Sequence, residues 1–299
     1  FVYLYMKNVG QVMLDCKAHL ELTHLSTAEE TITKEVTFPV FPDGFRKAKL
    51  DLPKNIKPGN YSLLAILDYG VEGKDGESNF DNATEEFIRV INYASTQSNI
   101  PFISVKITGI ARFALLEKLH AAPRLRSGIH DDEADTEEWQ RVANRLRKIC
   151  EVASVKNVGV LIDAEESWIQ DPIDRLTMNM MQDFNKHKAV IFNTFQLYRH
   201  DRLQFLKMSH RIARQQKFIL GAKLVRGAYM EKERGRAEEL HYTSPIQQDK
   251  SFTDGDFNSA VEYCLNDLET IAVILASHNE YSNLAAAEKL HAMNIPHNH

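Results

Sequence analysis

Between about residue 63 and residue 275 the chain repeats one unit, a short apolar run followed by an amphipathic stretch. This repeat limits the possible folds more than any other feature. The apolar runs are Leu63 to Asp68, Phe102 to Ile107, Val158 to Ile162, Ala189 to Phe192, Ile219 to Val225 and Ile271 to Leu275. None alternates cleanly, as expected of parallel strands buried on both faces. Between them, Trp139, Val142, Ala143, Leu146 and Ile149 recur near a 3.6-residue period, and so do Phe257, Ala260, Val261, Cys264, Leu265 and Leu268. Such spacing gives a helix one apolar stripe. Repeated strand–helix units predict a parallel α/β architecture. About six strands make an incomplete (β/α)8 TIM-like barrel.

The first 67 residues follow a different pattern. Val12, Leu14, Cys16, Ala18, Leu20 and Leu22 alternate with Asp15, Lys17, His19 and Glu21. That period of two places one strand face in a core and the other in water. Ile32, Val36 and Phe38 predict a second strand, and Ala48, Leu50 and Leu52 a third. Asp43-Gly44 and Pro58-Gly59 supply turn chemistry. The expectation is a small antiparallel β-sandwich-like segment over 1–67 ahead of a partial barrel over 68–299. Leu64-Ala65-Ile66-Leu67-Asp68-Tyr69-Gly70 can be read as the last strand of the first part or the first strand of the second, and one strand is not expected to serve both cores.

Composition narrows the partners. A formal net charge of −5 offers no electrostatic reason to expect nucleic acid or an anionic membrane. The longest apolar runs are too short for a transmembrane segment. Cys16, Cys150 and Cys264 are far apart with no metal-ligand spacing, and are read as free thiols. The twelve histidines are dispersed, so no metal site is expected.

The polar residues of the second part fall where the strands end. Lys106, Asp163, Gln196, then Lys223 with Arg226, and finally Ser277-His278-Asn279 each end or follow a predicted strand. In a (β/α)8 barrel the C-terminal strand ends form the active-site face. A single polar residue there reads as a solvated strand end. Five strands in succession read as a site, without naming its reaction. The bland reading holds elsewhere. Glu231 to Arg236 is a solvated helix start whose N-terminus can assist a phosphate, Asp131 to Asp135 initiates a helix, and Tyr198 to Asp201 anchors the helix that follows.

On these residues the chain resembles proline dehydrogenases. Asp163-Ala164-Glu165-Glu166, Asn193-Thr194-Phe195-Gln196, Lys223-Leu224-Val225-Arg226-Gly227-Ala228-Tyr229 and Ser277-His278-Asn279 stand in that family's order and approximate spacing. Leu67-Asp68-Tyr69-Gly70-Val71-Glu72-Gly73 and Val105-Lys106-Ile107-Thr108-Gly109-Ile110-Ala111-Arg112 are similar to its first two barrel strands. The resemblance implies FAD-dependent oxidation of L-proline to pyrroline-5-carboxylate. It assigns Lys106, Asp163 and Lys223 to the catalytic centre. Gln196, Lys223, Val225, Gly227, Ala228, Ser277, His278 and Asn279 would hold the cofactor. Lys106, Asp163, Leu224 and Tyr229 would line the proline pocket, with Lys106 and Asp163 as a buried charge pair. Some family members carry Arg at the position of Lys223; Lys keeps the charge but not the planar fork of donors.

The resemblance also implies a possible quinone acceptor and a barrel that is cytoplasmic, peripheral to the inner membrane. The family's closing strands and its carboxylate-gripping arginine pair have no counterpart here, so the chain is read as truncated or chimeric and weakly active or inactive. Residues 1–67 resemble Ig-like or fibronectin-like modules of bacterial surface proteins, on Val9-Gly10 and Pro58-Gly59-Asn60-Tyr61. Two alternatives stay open: a surface or periplasmic binding protein acting through that β module, and a metal-dependent barrel lyase using Asp163, Glu165 and His278.

Overall fold

The computed structural model describes residues 2–7, 14–24, 31–40, 45–50, 61–69, 76–121 and 133–295, with side chains over 76–121 and 136–295. The chain divides into two compact units, one of residues 1–112 and 137–160, the other of residues 113–136 and 161–299.

In the first unit, β1 (Val2–Lys7), β2 (Leu14–His24), β3 (Thr31–Val40), β4 (Phe45–Leu50) and β5 (Tyr61–Tyr69) precede α1 (Glu77–Ala94) and β6 (Phe102–Val105). β1 pairs antiparallel with β4, and β2 pairs antiparallel with both β3 and β5. The antiparallel strands expected from the alternation are therefore present. β1 was not foreseen, and the predicted turns at Asp43-Gly44 and Pro58-Gly59 lie outside the described residues.

β5 pairs antiparallel with β2 along one edge, and its residues Ile66 to Asp68 pair parallel with Phe102 to Ser104 along the other. The sheet order is β3-β2-β5-β6. One strand does serve both patterns, because a strand offers backbone donors and acceptors on two edges and each can be paired in either direction.

Helix α1 buries Phe80, Ala83, Phe87, Ile91 and Ala94, a stripe at steps of three and four. Following α2 (Phe113–Ala121), a member of the second unit, α3 (Glu133–Lys156) returns to the first unit from Glu137 onward. Its Arg145 is buried beside α1, donating to Asp81 at 2.7 Å and Glu77 at 2.5 Å. β7 (Gly159–Ile162) is buried throughout and straddles the division.

The second unit continues with α4 (Ser167–Phe184), β8 (Ile191–Gln196), α5 (Arg202–Gln216), β9 (Leu220–Val225), α6 (Met230–Glu239), α7 (Lys250–Leu265), β10 (Ile271–Leu275) and α8 (Glu280–Ala292). The order is β7-β8-β9-β10, with β8–β9 and β9–β10 parallel. Strand–helix alternation is as the sequence predicts, and β8 is buried along its whole length. Its position differs from the expected Ala189 to Phe192. Asn193 and Thr194 lie inside the strand because their side chains are bonded there: Asn193 Nδ2 donates to Asp174 Oδ1 at 2.9 Å, and Thr194 Oγ1 to the Ile162 carbonyl at 2.7 Å.

Asp174, on α4, is buried and satisfied by three donors. Besides Asn193 these are Gln170 Nε2 at 2.9 Å and Arg202 at 2.7 Å. Asn185, also buried, bonds both strand entrances below. Its Nδ2 donates to the carbonyls of Ile191 and Ile219, and its Oδ1 accepts from the amides of Val190 and Ile191. At Gly221, β9 comes so close to β8 that a Cβ would lie 2.1 Å from the Ile191 carbonyl oxygen.

Cys150 and Cys264 are free, as expected; both are also buried, and burial pushes the Cys264 thiol up to about 12. Cys16 lies where side chains are not described. Among the described residues no helix is long and apolar enough to cross a membrane.

Removing one partner of a buried ion pair leaves the other charge uncompensated, so Asp174→Ala is expected to cost about 3 kcal/mol or more, read by denaturant unfolding. Asp201 flanks the same arginine. Burial would raise its pKa, but hydrogen bonds and charge from Arg202 and Arg199 outweigh this and hold it at about 2, below 3.8. Its contribution is therefore fully present above about pH 4 and lost as pH falls through about 2. Unfolding midpoints of Asp201→Asn should change less with pH than wild type across that window.

Candidate functional site

In the second unit the strand ends deliver Asp163 directly after β7, Gln196 as the last residue of β8, Lys223 within β9, Arg226 directly after β9 and Ser277 two residues after β10. Lys223 Nζ donates to Asp163 Oδ1 at 2.7 Å, with side chains 14% and 17% exposed. β8 lies between β7 and β9 in the sheet, so this ion pair reaches past a neighbouring strand. Partial burial strengthens such a pair by limiting competition from water.

Lys106, the other ammonium that the resemblance assigns to this centre, follows β6 in the first unit and is half-buried.

Gln196 is 2% exposed and spans two backbone segments. Its Nε2 donates to the Glu165 carbonyl at 2.9 Å, and its Oε1 accepts from the Ala228 amide at 3.4 Å. Leu224 is fully buried, whereas Val225 and Tyr229 are half-buried. Gly227 has φ +136°, and a Cβ there would lie 2.4 Å from the Tyr198 ring. Both the backbone conformation and the ring demand glycine. Gly227 and Ala228 are exposed, leaving a stretch of bare backbone open to a ligand.

Arg226 organises the β10 end. Its guanidinium lies 4.2 Å from the Phe257 ring centre and donates to Asp254 Oδ1 at 2.6 Å, Ser277 Oγ at 2.5 Å and Ser282 Oγ at 3.0 Å. Ser277 Oγ also accepts from the Asn279 amide, and Asn279 caps α8 by accepting from the Ser282 amide at 3.0 Å. His278 between them is exposed.

Two neighbouring carboxylates close the β7–α4 loop against α6. Glu166 accepts from Lys232 Nζ at 3.1 Å, and Glu233 accepts from the amide and hydroxyl of Ser167, both at 2.6 Å. Glu233 is fully buried, which corrects the reading of Glu231 to Arg236 as a wholly solvated stretch. Its spacing of four from buried Ala237 was the available signal. The reading of Tyr198 to Asp201 as a helix anchor agrees with the structure: Arg199 and Arg202 both pair with Asp201 at the start of α5. Burial, then the charge of Glu233, raises the Tyr198 hydroxyl pKa.

Asp163, Glu165 and His278, the residues of the lyase alternative, do not form a metal-ligand cluster; among the described residues no such group of three His, Cys, Asp or Glu side chains occurs.

The family model for proline dehydrogenase matches residues 54–299. The chain belongs to the proline dehydrogenase family. Among curated relatives of this family member, the carbapenem antibiotics biosynthesis protein CarD of Pectobacterium carotovorum subsp. carotovorum is 34% identical over 220 residues, covering 74% of this chain and 56% of CarD. Proline dehydrogenase 1, mitochondrial, of Dictyostelium discoideum is 30% identical over 263 residues, covering 76% and 46% respectively. The human mitochondrial proline dehydrogenase 1 is 36% identical over 151 residues, covering 50% and 25%. The chain thus spans about half the length, or less, of these curated relatives.

Among solved structures, proline utilization A from Bdellovibrio bacteriovorus, inactivated by N-propargylglycine, superposes with a TM-score of 0.63 at 18% identity, over 75% of this chain and 24% of that one. At that identity the likeness establishes the fold, a TIM-like barrel domain. The first-segment resemblance to Ig-like modules finds no support in these comparisons.

Gly227→Ala combines a left-handed backbone with a clash against Tyr198, so it should destabilise the chain by about 2 kcal/mol or more. Thermal unfolding of the variant beside Ala228→Ser, which meets neither constraint, checks this.

Proposed function

We propose that this chain carries the flavin-facing part of an enzyme that oxidises L-proline to pyrroline-5-carboxylate with FAD. The observation that carries the reading is the Lys223–Asp163 pair on the rim of a proline dehydrogenase family barrel. FAD, when bound, would accept the hydride from the C–N unit of proline, and the chain's own residues supply placement and charge.

The residues present fit that cofactor. Gly227 and Ala228 expose backbone that a planar ring can approach, and Gln196 offers an amide beside them. Lys223 brings a positive charge to the ring edge, held in place by Asp163. Val225 would lie against the cofactor, and Ser277, His278 and Asn279, a segment tied to Arg226 through Ser277, would contact its remainder. Asp163, Leu224 and Tyr229 would line the substrate pocket, to which the resemblance also assigns Lys106. A carboxylate in that pocket holds the ammonium in place and presents a negative charge to the proline nitrogen.

In this reading residues 68–299 are the partial barrel and residues 1–67 a separate β-rich segment. The same proposal has electrons pass to a quinone, with the barrel portion cytoplasmic and peripheral to the inner membrane.

Titration of residues 1–299 with FAD, followed by flavin fluorescence, should show saturable binding. Lys223→Met should weaken it about tenfold, the loss expected for one charge-assisted contact. Anaerobic L-proline should then bleach the bound flavin's absorbance while valine does not. A chain that binds FAD but is never bleached by L-proline overturns the substrate; one that binds no FAD overturns the cofactor.

A further inference from the structure

Glu233 is fully buried, yet among the described residues no cation pairs with it, and neighbouring Lys232 pairs with Glu166 instead. A buried carboxylate without a cation is costly unless hydrogen bonds and fixed dipoles hold its charge. Here both oxygens are engaged at 2.6 Å, one by the Ser167 amide and one by the Ser167 hydroxyl. Ser167 opens the 18-residue α4, whose own N-cap residue, Glu166, gives no side-chain cap. The Ser167 amide, at the positive end of α4, therefore receives a carboxylate from α6, a cap supplied from elsewhere in the chain.

Both segments joined by this contact carry rim residues. Asp163 to Glu166 precede Ser167, and Gly227 to Tyr229 precede α6. Three further contacts run between or beside the same segments: Lys223 to Asp163, Gln196 to both the Glu165 carbonyl and the Ala228 amide, and Lys232 to Glu166. Of all these acceptor side chains, that of Glu233 is the most buried, so water competes least for its bonds.

We propose that Glu233 is a positioning residue: by capping α4 it sets the β7–α4 loop so that Asp163 meets Lys223 and Gln196 bridges Glu165 and Ala228. Its geometry stands on the contacts alone; its consequence for flavin rests on the proposed function. The competing role is stabilisation of α4 and nothing more.

Glu233→Gln keeps the size and one acceptor but removes the charge. Ser167→Ala removes one donor, and Ser167→Thr keeps both. On residues 1–299, amide hydrogen exchange and FAD affinity are measured together with the thermal midpoint. Glu233→Gln should speed exchange at Glu165 and Ser167 while β8 and β9 keep their protection, and should weaken FAD binding about tenfold. Ser167→Thr should remain within about twofold of wild type, and the double variant Glu233→Gln with Ser167→Ala should be no worse than Glu233→Gln, as expected of groups sharing one interaction.

A lowered midpoint with unchanged FAD affinity and unchanged Glu165 exchange reduces Glu233 to a helix stabiliser and overturns the proposal. A wild-type chain that binds no FAD sinks the functional reading, and exchange at Glu165 then decides the positioning role by itself. If Glu233→Gln does not fold, Ser167→Ala carries the same comparison.

Discussion

The arrangement of the second unit depends on one buried carboxylate. Asp174 sits inside α4, where an ion is tolerated only if its hydrogen bonds are complete. Gln170, Asn193 and Arg202 complete them. Each donor commits another element. Arg202 fixes the start of α5, where its guanidinium also lies 4.5 Å from the Phe205 ring centre. Asn193 fixes β8, its Oδ1 accepting from the Thr194 amide, and Thr194 in turn bonds the Ile162 carbonyl at the end of β7. Gln170 accepts from the Glu165 amide at 2.8 Å. The network therefore reaches Ile162 and Glu165, the residues on either side of the Asp163-Ala164 step.

Apolar packing alone would not place that step. Phe195, Phe257, Leu206 and Leu224 are fully buried and supply the bulk of the driving force, but the hydrophobic effect has no direction and tolerates exchanges of similar volume. The polar contacts are directional. Asn185 bonds the entrances of β8 and β9 below the sheet, the close approach at Gly221 sets their separation, and Asp174 controls the loop above. Lys223 extends from within β9 instead of from a loop, so its ammonium is held by a strand that is itself fixed on both sides. That is the kind of support a site needs when small displacements matter.

The fold was legible wherever a pattern is local. Period-two alternation found β2, β3 and β4, short buried runs found the strands from β6 onward, and apolar stripes found α3 and α7. Ordered motifs at the strand ends pointed to the family. The misses share a cause, a partner remote in sequence. Nothing in Leu63 to Asp68 marks which edges of β5 will pair, because backbone groups carry no residue signature. Asn193 and Thr194 look like loop residues until Asp174 and the Ile162 carbonyl are beside them. Glu233 looks solvated in the charged run Glu231 to Arg236, and its partner lies 66 residues away. Asp163 was recognisable as an ion needing a counter-ion, yet nothing local marks Lys223, 60 residues away, as one that meets it.

Three carboxylates around α4 meet the cost of burial in three ways. Asp174 is neutralised by Arg202 and surrounded by amide donors. Glu233 is held by a helix end and a hydroxyl. Both are buried and committed, and exchanging either partner would leave a bare charge in the interior. Asp163 differs: it remains 17% exposed and, among the described residues, is held by a single ammonium that is itself 14% exposed. A ligand entering the rim can compete for Asp163 or Lys223 without dismantling the core, because the two committed acids keep the loop in place while the third changes partner. The division of labour between rigid buried carboxylates and one accessible pair is what the proposed binding at this rim would draw on.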